Sequence, residues 1–199
     1  HLARLQRRAV ALAAPTGRAA KRLAESTGAE ATTLHRLLEY QPHEDRFARD
    51  AEHRLDADVV VVDEASMVDI ALFRAVVVAL APHAQLVLVG DVDQLPSVGA
   101  GEVLRDVLAA PAVPQVRLTR IFRQAQESGV VVNAHRINAG QPPALGEFPD
   151  FFLFPADEPE ATAELVVDVV ARRIPRRFGL RPREIQVLTP MHRGAAGAG

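Results

Sequence analysis

Four consecutive valines, Val59–Val62, run directly into two carboxylates, Asp63 and Glu64. No other feature of the chain restricts its fold so tightly. β-Branched side chains favour extended backbone, and a strand that is apolar at every position has no face to give to water. It must be covered on both sides, as in the interior of a parallel sheet flanked by helices. Leu86–Val89 is a second run of this kind, closed by Gly90-Asp91, and Val10–Ala14 is a third, closed by Pro15-Thr16-Gly17. Helical stretches separate them: Arg18–Ser26, then a segment with Met67, Ile70, Ala71, Arg74, Ala75 and Val78 at three- and four-residue spacings, then Leu104–Leu108. Further along, the pattern predicts a short strand at Val116–Leu118, helices at Val130–Ile137 and Ala161–Arg172, and a strand at Ile185–Leu188. This alternation predicts an α/β fold with a parallel sheet and helices on both faces.

The chain's 199 residues allow one large domain, or one and part of another. No apolar run reaches the ~18–20 residues that a membrane-spanning helix needs. The absence of Cys excludes disulfides, thiolate nucleophiles and Cys-based metal sites. The start is Arg-rich and lacks the apolar core of a signal peptide. A cytoplasmic protein, or a piece of one, is the expectation. Five prolines and a Phe-rich stretch between Gln141 and Pro159 mark a connection between domains.

The net charge of −2 conceals a polarised chain. Residues 1–22 carry +6, residues 171–193 carry +6, and residues 23–170 carry −14. Basic rims of this kind suit a nucleic-acid backbone, and unevenly distributed solvated faces would produce the same totals. His43 and His53 lie in the polar stretch Tyr40–Asp58 at a spacing that fits no zinc pattern.

Each strand end carries candidate chemistry. Asp63 and Glu64 leave the valine strand at its carboxyl end, the edge where open parallel sheets bind ligands. An Asp there can hold Mg²⁺, and the adjacent Glu can activate a water that attacks a γ-phosphate. The competing reading is that Asp63 and Ser66 cap the next helix. Gln94 follows the second buried strand, where an amide can contact the γ-phosphate or its attacking water; a plain surface turn is the alternative. Arg120 and Arg123 flank Ile121-Phe122, and an Arg delivered to a phosphate site stabilises the charge that develops in phosphoryl transfer. A surface ion pair would use the same residues. Pro15-Thr16-Gly17-Arg18 opens a helix with backbone N–H groups, a hydroxyl and a cation, which suits a nucleic-acid phosphate. A capped helix with a solvated basic face is the competing reading. Thr32-Thr33-Leu34-His35 is a similar transition.

Taken in order, these stretches resemble the motifs of superfamily-one helicases, specifically the RecD-like branch. Ala14–Leu23 resembles motif Ia and Thr33–Leu38 the DNA-contact motif after it. Val61–Ser66, with its Asp-Glu-Ala-Ser core, resembles motif II, the Walker B element. Gly90–Gly101 resembles motif III and Leu118–Gln124 motif IV; Asn133–Asn138 and Leu188–Met191 resemble later sequences of that branch. The resemblance implies an ATP-driven motor that moves 5′-to-3′ on single-stranded DNA and unwinds duplex DNA, with ATP and Mg²⁺ as cofactors. It implies that Asp63 holds Mg²⁺, Glu64 activates water, Gln94 couples nucleotide to DNA, and Arg123 is the finger. Pro15, Thr16, Arg18 and His35 would touch DNA, with Thr189 a second-domain contact. The stand-alone RecD-like form is favoured over a subunit of a three-chain nuclease, with repair or recombination proteins as candidate partners.

Residues 1–138 are expected to be a partial first RecA-like domain, 139–160 a connection, and 161–199 the beginning of a second. No Gly-x-x-x-x-Gly-Lys-Ser/Thr loop occurs, and the single Lys is Lys21. The expectation is therefore an internal fragment, lacking the Walker A loop and inactive alone. Two other readings compete: a P-loop ATPase acting on a non-DNA substrate, and a non-catalytic RecA-like subunit.

Overall fold

The valine run forms a four-residue strand at the expected positions, and the sheet is built around it. A computed structural model describes residues 7–118, 127–189, 192–195 and 197, in two compact units, residues 1–119 and 120–199. In chain order the first unit begins with β1 (Val10–Ala14), α1 (Gly17–Thr27), β2 (Thr32–Thr33) and α2 (Leu34–Leu37). A small hairpin of β3 (Tyr40–Gln41) and β4 (Arg46–Phe47) comes next, then β5 (Val59–Val62) and a 3₁₀ turn (Ala65–Met67). The unit continues with α3 (Ile70–Ala79), β6 (Gln85–Leu88) and α4 (Val103–Ala109).

The four-stranded sheet has the order β2-β1-β5-β6, and its three pairings are all parallel. Val10 stands opposite Val59 and Ala13 opposite Val62, while Val62 also faces Leu88 and Ala14 faces Thr33. This register brings the carboxyl ends of all four strands to one edge. From β1 the chain steps through α1 to β2 on one side, and the next strand of the sheet, β5, lies on the other. The order therefore reverses between β1 and β5, and in open α/β sheets the crevice at such a reversal is where ligands bind.

Val60 and Val62 are buried with Ala13, Leu34, Leu38, Leu72, Val76 and Leu104 in one core. Three helices begin with a side-chain cap that answers an otherwise unpaired N–H. Thr16 Oγ1 accepts from Ala19 N (3.2 Å), Thr33 Oγ1 from Arg36 N (3.2 Å), and Asp69 Oδ1 from Leu72 N (2.8 Å).

The structure departs from the periodicity in several places. The helix expected from Met67 starts at Ile70, because Val68 and Asp69 are extended and separate the 3₁₀ turn from α3. The polar stretch after Tyr40 holds the β3–β4 hairpin, where Tyr40 pairs with Phe47 and Gln41 with Arg46. Val116–Leu118 forms no strand, since three residues with no neighbouring strand among the described residues have nothing to pair with.

The second unit contains α5 (Gly129–Asn138), α6 (Pro159–Asp168), a π-helical turn (Val169–Arg173), α7 (Ile174–Phe178) and a 3₁₀ turn (Pro182–Glu184). The helix expected at Ala161–Arg172 thus runs on through the π turn to Phe178. Ile185–Leu188 is not a strand, and no strand occurs among the described residues of this unit to pair with it. By contacts α5 belongs here, whereas the sequence reading groups it with the first domain. Local bonds explain the grouping. The buried Asn133 side chain donates to Ala144 O (3.1 Å) and accepts from Ala144 N (2.7 Å), and Asp150 accepts from Ser128 Oγ (2.7 Å) and Gly129 N (2.8 Å).

Candidate functional site

Asp63 and Glu64 sit where β5 leaves the sheet. The Asp63 N–H donates to Ala13 O (2.9 Å), which holds the residue one step beyond the β1–β5 pairing. Its Oδ1 accepts from Glu64 N (3.0 Å), and Ala65 N donates to Val89 O (2.9 Å). Between these bonds Glu64 is held in the left-handed region at φ 54°, ψ 41°. That conformation costs a non-glycine residue about 1–2 kcal/mol, and such strain collects at functional sites. Both carboxylates line a solvent-open cleft of about 510 Å³ whose other wall is the α1 segment Ala19, Arg22, Leu23, Glu25 and Ser26. The cleft lies at the β1/β5 reversal.

The capping alternative does not describe these groups. Asp69 caps α3, Glu64 makes no capping bond, and the Ser66 hydroxyl has no partner among the described residues. Neither Asp63 nor Glu64 enters an ion pair among the described residues. Two half-buried, unpaired carboxylates supply the hard oxygen donors that Mg²⁺ prefers. No group of three or more acidic or His ligands occurs among the described residues. That donor set suits Mg²⁺ held by one or two carboxylates, with water and phosphate oxygens completing the shell.

Gln94 belongs to the loop after β6. Its backbone N–H donates to Asp91 O (3.3 Å), and its exposed side chain makes no hydrogen bond among the described residues. It lines a recess of about 20 Å³ together with Ser66, Glu102 and Arg105, rather than the cleft of the two acids. The two motifs are nevertheless gripped together. A Cβ at Gly90 would lie 2.9 Å from Leu104 Cδ2 and 3.0 Å from Ala65 N, so only glycine permits this approach of the two turns. Farther along, Ile70 N donates to Ala100 O (2.9 Å), and a Cβ at Gly99 would fall on the Asp69 carboxylate. Sequence reading did not single out Ser66, Gly99 or Asp69 for this clasp. The glycine spacing after Gln94 was the available clue, and nothing local says what the glycines approach.

The candidate DNA-facing residues divide between the units. Pro15 and Thr16 follow β1 at the carboxyl edge; Thr16 is occupied as the α1 cap, and Arg18 projects as an exposed residue of the first turn. His35 is exposed on α2, with its ring edge-on to Tyr40 (centroids 5.5 Å, 89°) and tilted against Phe47 (5.8 Å). The Tyr40 hydroxyl donates to Asp45 Oδ1 (2.6 Å), a bond that raises the phenol above its ordinary pKa. Thr189 lies in the second unit outside regular secondary structure. Arg120 and Arg123 lie outside the described residues.

Residues 1–150 match the model of the family described as AAA domain. The chain belongs to the AAA domain family. This AAA-domain chain is 40% identical over 191 residues to the ATP-dependent RecD2 DNA helicase of Deinococcus radiodurans, an alignment covering 94% of it and 25% of that protein. It is 42% identical over 154 residues to the RecBCD enzyme subunit RecD of Mycobacterium tuberculosis, covering 68% and 27%. A solved structure of Pif1 from Bacteroides sp, in complex with ADP-AlF4, is similar at 27% identity with a TM-score of 0.35, covering 54% and 28%. The chain spans about a quarter of the length of the curated relatives it matches. The AAA match takes in Thr16, Arg18, His35, Asp63, Glu64 and Gln94 and ends before Thr189.

Proposed function

We propose that this chain is part of the motor of an ATP-dependent DNA helicase that moves 5′-to-3′ on single-stranded DNA and unwinds duplex DNA in repair or recombination. The observation that carries the reading is the unpaired Asp63–Glu64 couple on the open cleft at the β1/β5 reversal. The 40% identity to a protein named as an ATP-dependent DNA helicase supports it. In this reading Asp63 holds Mg²⁺, whose charge offsets that on the phosphates. Glu64, on the same cleft, takes the proton of the attacking water. Gln94 reports the γ-phosphate to the DNA-binding surface, and Arg123 stabilises the charge developing on the transferred group. Pro15, Thr16, Arg18 and His35 contact the strand from the first unit, and Thr189 contacts it from the second. A stand-alone RecD-like helicase of the cytoplasm fits better than a RecD subunit, because the RecD2 alignment covers 94% of the chain against 68% for RecD.

Mutagenesis in the intact motor protein tests this. Glu64→Gln should lower ATP turnover at least about 10²-fold, the usual worth of a general base, and leave nucleotide binding in place. Arg18→Ala should weaken single-strand affinity and reduce its salt dependence by about one counterion. Thr16→Ala also removes a helix cap, so Thr16→Ser, which keeps the cap, is its control. Full turnover in Glu64→Gln would remove Glu64 from the chemistry. ATP turnover indifferent to single-stranded DNA, with Arg18→Ala binding as the parent does, would favour an ATPase with a different substrate.

A further inference from the structure

We infer that His35 is the exposed end of a base-stacking site: Tyr40 and Phe47 of the β3–β4 hairpin position its imidazole, and a nucleobase of the single strand lies against it. The inference rests on the reading of His35 as a strand contact and says which part of the strand it meets. Tyr40 and Phe47 stand directly opposite each other in the antiparallel hairpin, so their side chains share one face. Their ring centroids are 5.1 Å apart, and the His35 ring lies 5.5 Å from that of Tyr40 and 5.8 Å from that of Phe47. All three separations fall in the range of favourable aromatic pairs. Tyr40 and Phe47 are half-buried, and His35 is exposed. The hairpin is tied to the first core beneath it. Arg49 N donates to Leu38 O (3.1 Å), Ala48 N donates to Glu39 O (3.2 Å), and Leu38 is fully buried.

The His35 side chain makes no hydrogen bond and no ion pair among the described residues; its contacts are the two rings. A histidine set to donate to phosphate has its tautomer fixed by a hydrogen bond at the other ring nitrogen, and His35 has no such bond there. An imidazole held by rings keeps its tilt without using either nitrogen, and it offers a base a flat surface. Cations for the backbone stand nearby. Arg36 follows His35, and both Arg36 and Arg18 are exposed and without an ion pair among the described residues. Ala14 pairs with Thr33, so the turn that carries Thr16 and Arg18 lies beside the turn that carries His35, at the carboxyl edge of the sheet. Free guanidinium groups beside an aromatic surface are the combination that holds single strands, because cations track the backbone while bases of any kind stack.

The affinity of the intact motor protein for two oligonucleotides of equal length, one with its bases and one abasic throughout, tests this when measured against salt. His35→Ala should weaken binding to the first about 5- to 150-fold, the usual effect of removing a stacking side chain. Its salt slope should stay as in the parent, since a stacked ring releases no counterion. On the abasic strand the same variant should bind as the parent does. His35→Phe, which keeps a ring and loses both nitrogens, should restore the affinity. Phe47→Leu should weaken binding less than His35→Ala, and the double variant should be no weaker than His35→Ala alone. The inference would be overturned by a His35→Ala loss that persists on the abasic strand, or by a salt slope lower by about one. His35→Phe binding as weakly as His35→Ala, or losses that multiply in the double variant, would overturn it too, with His35 still on the DNA surface. Parental affinity of His35→Ala for both strands would instead remove His35 from that surface altogether.

Discussion

The first unit and the second are held together by different physics. Every fully buried apolar side chain among the described residues lies in the first unit, from Ala13 to Leu104. In the second, Phe152, Phe154 and Phe178 remain 52%, 45% and 50% exposed, and the buried side chain is the polar Asn133. The second unit is organised by local polar bonds: Asn133 to Ala144, Asp150 to Ser128 and Gly129, Asp168 to Arg173 within one helical stretch, and Arg181 to Glu184. Phe152 stacks on Phe154 and Arg173 lies over that ring, on a surface that water reaches. The contrast shows where a rigid site can stand. A parallel sheet closed over an apolar core can hold two carboxylates and a left-handed Glu64 in place, because the strain is offset by burial a few residues away. A unit held by exposed polar clasps has no comparable reserve.

Three changes would break or sharpen this contrast. The largest effect is expected at Leu38, fully buried in the first core. Leu38→Ala should cost about 2–5 kcal/mol in denaturant unfolding of the first unit, and a cost below 1 kcal/mol would show that core to be loosely packed. Asn133→Ala should cost the second unit less, about 1–3 kcal/mol for the two Ala144 groups left unanswered. Faster exchange of the Ala144 amide would report it, and unaltered exchange would mean that the clasp is redundant. The smallest effect is pH-dependent. The hydrogen bond from Ser128, and then that from Gly129, hold the Asp150 carboxyl below its ordinary value. A depressed carboxylate pKa adds stability that is present above the unfolded-state value, about 3.9, and is lost as pH falls through the folded one. The start of α5 should therefore loosen in acid, and in Asp150→Asn that loosening should be absent. Hydrogen exchange at Gly129 against pH separates the two outcomes.

Much of the first unit is legible in the sequence. Val10–Ala14 and Val59–Val62 form strands at the residues where the apolar runs place them, and α1 and α4 differ from expectation only by a residue at each end. In the second unit α5 likewise differs from the expected Val130–Ile137 only by a residue at each end, and the departure is at Ile185–Leu188. Ile185–Leu188 has the composition of a strand, but a strand exists only where a neighbour supplies its bonds. β2, two threonines long, is a strand because Ala13 and Ala14 stand beside it, and its length leaves no pattern to read. The clasp of Gly90, Gly99 and Asp69 was hidden for the same reason.

What the amino-acid order determined by itself was local: which segments extend, which coil, and that two acids leave a buried strand together. Side-chain shape and apolar spacing act over a few residues, so they can be read in one dimension. The tertiary structure decided on which side of β1 each strand falls, and hence that a cleft opens between α1 and Asp63. It gave the capping of α3 to Asp69 and left the Ser66 hydroxyl buried beside Gln94. Each of these outcomes depends on groups distant in the chain, and their free energies are defined only once the sheet has brought them together.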